Sequence, residues 1–331
     1  MKNDLLHTPD GVTDLFGEEL KKRLAVQETI LGVMREASYQ DIKPPTFEYF
    51  DVFQKSVSAT PARDLFKFFD KDGNTLVLRS DFTPQIARCV SSLFPGSVEG
   101  AVRVCYAGDV YLNASDLQGK RKQTTQTGLE FFGDASVSAD AEVISLLIRT
   151  LLAAGLEELQ VSIGHADFFR GICEESGLDR EQEALIRTLI ADRNYFAAEK
   201  QMFDLKIRDE YREMLLRISD FAGDPSQLKT AGKIAGNRKS LDAIARLSSV
   251  YEALAGSGLH RYVSFDLGML SRYDYYTGVT FEAYTYGVGD AIAKGGRYDD
   301  LLGHFGKDAP ATGFAITLDD LMTALARRGH V

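Results

Sequence analysis

The sequence predicts an α+β protein: a mainly antiparallel sheet flanked by helices, with a helical insertion. Three observations carry this reading. Strand-compatible segments fall in the first half and again in the last quarter of the chain, and several join through hairpin-like turns. Between Asp167 and Tyr251 the pattern is helical and charged, without a convincing strand. A helical block between strand-rich blocks points to one sheet fed from both sides: a core of residues 1–166 and 252–331, and an insertion at 167–251.

Taken in order, the turn-like Pro9-Asp10-Gly11 precedes a helix from Glu18 to Tyr39, with Leu20, Leu24, Leu31 and Met34 on one stripe toward a core. Phe47 to Phe53 carries aromatics at strand spacing, ahead of a loop from Lys55 to Arg63. Phe66 to Asp70 and Thr75 to Arg79 flank Asp72-Gly73-Asn74 as a hairpin. Thr83-Pro84 reads as the N-cap and first residue of a helix marked by Ile86, Val90 and Leu93. Val102 to Leu112 and Thr124 to Gly133 are strands joined by a polar, basic loop from Asn113 to Gln123. A helix from Ala139 to about Gly155 and a strand from Leu159 to Gly164 follow. Beyond the insertion, strands are expected at Arg261 to Leu267, Thr277 to Tyr286, Ala291 to Lys294 and Thr312 to Ile316, then a helix from Leu318 to Arg327.

The chain has 331 residues, 44% hydrophobic and 26% charged, which excludes disordered and fibrous protein and supplies a substantial core. Lys and Arg number 38 against 48 Asp and Glu, a net charge of −10 that argues against a broad nucleic-acid surface. Cys89, Cys105 and Cys173 are widely spaced without a CxxC pair, so they read as buried free thiols in a reducing cytoplasm. The polar, acidic N-terminus has no secretory pattern, and the apolar stretch from Val143 to Leu156 is too short to span a bilayer. The five histidines show no metal-ligand spacing, so no metal and no cofactor is expected.

Four segments carry candidate chemistry. On the strand Gln123 to Phe132, alternation places Gln126, Gly128 and Glu130 on one polar face, where Gly128 leaves room for a small ligand whose ammonium pairs with Glu130; a solvent-facing strand with a bulge fits the same pattern. The segment Ser271 to Gly278 gathers three tyrosines, Arg272 and Asp274, suited to walls around a planar heterocycle and equally to a core edge. Lys294-Gly295-Gly296-Arg297-Tyr298-Asp299 allows close backbone approach to a ligand, or a glycine turn capping a strand; it has neither the GxxxxGK[ST] nor the GxGxxG spacing. Asp81 and Thr83 fit N–H groups of a first helical turn.

Together these segments resemble the catalytic domain of histidyl-tRNA synthetases, a class II fold, from Thr8 to about Leu325. TPDGVTDLF is similar to that family's opening, SYQDIKPPTFEYFDVF to its dimer-forming first motif, and DYYTGVTFE and GGRYDDLL to its two histidine-specific signatures. The resemblance places Asp81, Thr83, Gln126, Glu130, Tyr275 and Tyr276 at histidine-binding positions, with Asp81 replacing a glutamate and Phe82 a glycine, and puts Asp274, Gly295, Gly296, Arg297 and Tyr298 in the signatures. The ATP-gripping positions depart: Leu112, Ala114 and Ser115 stand for Arg, Glu and Arg, Asp320 for an arginine, and Ser271 for another. Replacing arginine by aspartate turns attraction for triphosphate into repulsion. The chain also ends soon after the third motif, where the family carries an anticodon-binding domain.

This combination resembles the regulatory subunits of ATP phosphoribosyltransferase, paralogues that partner the short-form catalytic subunit in the first step of histidine biosynthesis. The resemblance implies a cytoplasmic chain without catalytic activity of its own, a self-dimer, a hetero-octamer with that subunit and L-histidine as effector, with no tRNA and no membrane partner. The rival readings are a truncated histidyl-tRNA synthetase-like enzyme that activates an amino acid, and a free histidine sensor acting on another partner.

Overall fold

The computed structural model describes residues 6–53, 60–93, 100–113, 121–270 and 275–327. A helix α1 (Gly17–Glu36) leads into β1 (Gln40–Asp41); the helix stops short of Tyr39 because Ser38 adopts the left-handed region, φ 69°. Ile30, Leu31 and Met34 of α1 are buried, whereas Leu24 is 51% exposed, so the expected stripe turns only its C-terminal half to the core.

The aromatic segment after Pro45 is a strand only over β2 (Phe47–Tyr49); the next turn, Phe50–Phe53, coils into a 3-10 helix that buries Val52 and Phe53. The hairpin forms as β3 (Lys67–Phe69) and β4 (Thr75–Leu78), its turn held by the Asp70 carboxylate accepting from the Asp72 and Asn74 N–H groups at 2.9 and 2.8 Å. These strands pair with β2 in a separate three-stranded sheet, β2-β4-β3, so the expectation of a single sheet is corrected.

Helix α2 (Thr83–Leu93) follows, then the long hairpin β5 (Val102–Tyr111) and β6 (Gln123–Phe132), helix α3 (Val137–Ala153), strand β7 (Gln160–His165) and helix α4 (Ala166–Glu175). His165 ends β7 and caps α4, its Nδ1 accepting from the Asp167 N–H at 3.2 Å. Burial, with Arg246, Arg170 and Arg297 nearby, holds its imidazole down to about 3, the neutral form such an acceptor requires.

Helices α5 (Arg180–Ala191), α6 (Tyr195–Asp204) and α7 (Asp209–Leu216) precede β8 (Ala222–Gly223), and α8 (Ser226–Ile234) and α9 (Arg238–Ala255) follow it. The two-residue β8 corrects the strandless reading of this region: it pairs with β9 (Val263–Asp266), and the first part of the expected strand at Arg261 is instead a 3-10 turn. The helices share one buried cluster with the sheet, Ile186, Met202 and Leu247 packing in the same core as Ile144, Ile163 and Phe281.

The chain closes with β10 (Val279–Tyr284), β11 (Ala293–Arg297), β12 (Ala311–Thr317) and α10 (Leu318–Arg327). The nine-stranded sheet runs β1-β5-β6-β12-β11-β10-β7-β9-β8, parallel only at β1–β5 and β7–β9. The α+β, mainly antiparallel architecture therefore stands as the sequence predicts.

Gly295 and Gly296 lie inside β11, not in a capping turn. A Cβ on Gly295 would sit 2.4 Å from both the Phe281 ring and the Gly313 carbonyl oxygen, and one on Gly296 would sit 2.8 Å from Tyr276. The glycines thus admit neighbouring rings and backbone rather than a ligand. Gly295→Ala is expected to cost about 2 kcal/mol or more through overpacking, read as a fall of several degrees in the melting temperature. An unchanged melting curve would contradict this packing role.

Candidate functional site

The central strands β6, β11 and β12 form the floor of a pocket of about 150 Å³, closed from above by the segment before α2 and by Tyr275 and Tyr276. All six residues expected around a ligand line it: Asp81, Thr83, Gln126, Glu130, Tyr275 and Tyr276. Their convergence follows from topology. Gln126 and Glu130 share one face of β6 by alternation, and Asp81 and Thr83 lie at the entry to α2, whose buried face packs over β5.

Glu130 is 1% exposed, so the polar, open face expected for it is in fact the buried end of the pocket. Its Oε1 accepts from the Thr83 hydroxyl at 2.7 Å and its Oε2 from the Tyr298 hydroxyl. Among the described residues no cation pairs with it. Burial pushes the carboxyl up to about 8; the Tyr298 and Thr83 hydrogen bonds pull it back and Asp81 adds repulsion. Asp81 is raised in turn, by burial. The Gln126 amide oxygen, also buried, has no hydrogen-bond partner among the described residues. Lys294 lines the pocket as well but pairs with Glu282 at 3.3 Å. Two carboxyl groups and an amide oxygen therefore face one small cavity, flanked by two tyrosine rings whose centroids are 4.9 Å apart. Such a site takes a small molecule with more than one N–H-bearing centre and a planar part.

Two local expectations change. Thr83 does not cap its helix: Asp81 accepts from the Thr83 N–H at 3.4 Å, and the Thr83 hydroxyl turns to Glu130 instead. Gly128 does not make room for a ligand, because a Cβ there would lie 2.6 Å from the Tyr106 hydroxyl and 2.2 Å from the Phe314 carbonyl oxygen. The void it leaves is filled by Tyr106, on which Phe82 stacks at 4.4 Å. Asp274, Ala114, Ser115, Ser271 and Arg272, and most of the loop from Lys55, lie outside the described residues.

The signature residues divide by task. Tyr298 reaches the pocket through its bond to Glu130. Arg297 does not: it is 4% exposed, donates from Nε to Asp140 at 2.9 Å and from Nη1 to Asp299 at 3.0 Å and the Asp134 carbonyl at 3.1 Å. Asp140, 1% exposed, also accepts from Arg246 of α9 at 2.8 Å. This cluster joins β11, α3 and α9 beneath the pocket floor. Sequence reasoning missed Lys294 and the β12 residues Gly313 to Ala315 as lining; the signal was the glycine at 313, where any Cβ would collide with Glu130 Oε2.

At the start of α10, where the resemblance puts an ATP-gripping arginine, Asp319 is buried and pairs with Arg23 Nη2 at 2.8 Å and with Arg121. It also accepts from the Thr125 N–H at 2.9 Å. Asp320 beside it is pushed up by burial and by Asp319.

A family model of histidyl-tRNA synthetases matches residues 11–321. An ATP phosphoribosyltransferase regulatory subunit of Ruminiclostridium cellulolyticum is 37% identical over 98% of this chain and 77% of its own length. The chain belongs to the family of ATP phosphoribosyltransferase regulatory subunits, within the histidyl-tRNA synthetase-like proteins. A solved structure described as an ATP phosphoribosyltransferase regulatory subunit/histidyl-tRNA synthetase from Bacillus halodurans superposes with a TM-score of 0.88 at 32% identity, over 97% of this chain and 83% of that one. A histidine–tRNA ligase subunit from Alicyclobacillus acidocaldarius gives a TM-score of 0.80 at 28% identity, over 98% of each chain. The family fold is thus the class II synthetase fold, and the pocket described above lies in it. Among the described residues no helix is long and apolar enough to cross a membrane.

Proposed function

We propose that this chain is the non-catalytic regulatory subunit of a short-form ATP phosphoribosyltransferase in histidine biosynthesis, and that L-histidine, bound in the pocket around Glu130, is its inhibitory effector. The observation that carries the reading is the contrast between two sites: a ligand pocket lined by two carboxyl groups and an unpartnered amide oxygen, and an ATP position where Asp319 and Asp320 stand and Arg23 and Arg121 are already paired with Asp319. Adenylate formation needs free, positioned cations around phosphates. Histidine supplies an ammonium and an imidazole N–H for Glu130, Asp81 and Gln126, and a flat ring for Tyr275 and Tyr276. Histidine binds one state of the assembly preferentially and shifts it toward low activity.

The subunit works in the cytoplasm, without tRNA, as a self-dimer that joins the catalytic subunit in a hetero-octamer. The dimer is supported by exposed apolar groups on the first motif and the small sheet, Phe47, Tyr49 and Phe69, and by Phe16 and Leu24 at the start of α1. The division into a core of 1–166 and 252–331 and an insertion of 167–251 is supported by the return of the chain into the sheet at β9, beside β7.

Two measurements test this reading. ATP–pyrophosphate exchange is expected to stay at background with histidine and with every other amino acid; histidine-dependent exchange would overturn the non-catalytic assignment. Histidine titrations by calorimetry in buffers of different ionisation enthalpy are expected to show proton release at pH 7, because a carboxyl held up to about 8 is largely protonated until a cationic ligand arrives. Affinity then rises with pH toward 8. Binding without proton exchange would contradict the role given to Glu130.

A further inference from the structure

A concavity of about 670 Å³ lies in the helical region between α7, α8 and the end of α4. Its floor is apolar: Tyr211 and Phe221 are buried, Met214 is partly buried, and Ile234 remains 46% exposed at the edge. Its rim is acidic, with Glu175, Glu210, Glu213 and Asp220. The single cation in the lining, Arg217, is held between Asp220 at 2.8 Å and Glu213 at 3.3 Å, and Glu210 meets Arg208 at 2.9 Å. Carboxylates therefore outnumber the cations that answer them.

The arrangement has the anatomy of a protein interface, an apolar centre within a charged, exposed rim. It lacks the mark of a small-molecule site: the Tyr211 hydroxyl is already bonded by Arg208, and no buried polar atom aimed inward stands without a partner among the described lining residues. A chain with a net charge of −10 also steers basic partners toward such a rim.

We propose that this groove docks a basic amphipathic segment of the catalytic subunit, its apolar side chains on Met214, Phe221 and Ile234 and its Lys or Arg side chains on the acidic rim. The inference rests on the functional reading above and assigns the helical insertion a task in assembly.

The test measures binding of the short-form catalytic subunit to the full chain and to two variants, the charge reversal Glu210→Lys/Glu213→Lys/Asp220→Lys and the single change Ile234→Glu. All substituted side chains are exposed, and circular dichroism with thermal melting verifies the fold. The expected result is a loss of tenfold or more in affinity for each variant, with slower association and a weaker salt dependence for the charge reversal. Affinity within threefold of the wild type in both variants, while the wild type binds, would overturn the groove and leave the regulatory reading standing. No complex with the wild type would overturn that reading, and the docking site with it.

Discussion

Replacing Glu130 by Gln is expected to weaken histidine binding by a hundredfold or more while leaving the protein folded. The substitution preserves volume and an oxygen that accepts from Thr83, but it removes the carboxyl at the buried end of the pocket that becomes an anion when a cation enters. Loss of one partner from a buried, hydrogen-bonded charge pair costs roughly 2–5 kcal/mol, and about 3 kcal/mol corresponds to the stated factor. The empty protein should respond in the opposite direction. Its Glu130 carboxyl is raised to about 8, above the ordinary carboxylate value that it has when unfolded. Between those two values the folded state holds the proton that the unfolded state has released, so stability falls as pH rises through this window. Glu130→Gln removes that penalty and should therefore be more stable than the wild type above pH 8. Calorimetric titration with histidine and melting curves at pH 6 and pH 9 check both halves. Wild-type affinity in the variant would remove Glu130 from the site.

Asp140→Ala carries the largest expected effect on stability. It takes from the Arg297 guanidinium, 4% exposed, the carboxylate that accepts from Nε, leaving it Asp299 at Nη1, and cuts the tie from α3 to Arg246 on α9. Removing one partner of a buried pair costs about 3–5 kcal/mol, which lowers the melting temperature by on the order of 6–10 °C in a chain of this size. Arg246→Ala should cost less, because its side chain is partly solvated and Asp140 retains Arg297. If the two variants melt alike and close to wild type, Arg297 is not the structural anchor described here.

Of the six expected pocket residues, Gln126 and Glu130 were brought together by the alternation of β6, while Asp81 and Thr83 before α2 and Tyr275 and Tyr276 before β10 were assigned through the family resemblance. The direction of the Thr83 hydroxyl was not legible. Locally a threonine before proline is a capping signal, and only the approach of Glu130 from a strand 47 residues away redirects it. The glycine pair at Gly295 and Gly296 misleads for the same reason: glycine is a turn signal in sequence, while here the constraint comes from Phe281, Tyr276 and Gly313 in neighbouring elements. The strand β8 has no signal of its own, being two residues recruited by β9. Phe47 to Phe53 has strand-like composition throughout, but burying Val52 and Phe53 against Leu65 and Val77 requires the chain to coil after Tyr49. In each case a contact distant in sequence outweighs a sound local preference.

The most direct test of the account mixes the purified chain with the short-form catalytic subunit of the same organism and follows formation of phosphoribosyl-ATP with and without histidine. The account predicts that the chain stimulates the reaction, that histidine suppresses the stimulated rate, and that suppression is lost with Glu130→Gln. An unchanged rate on adding the chain, or suppression by histidine that Glu130→Gln leaves intact, would contradict it.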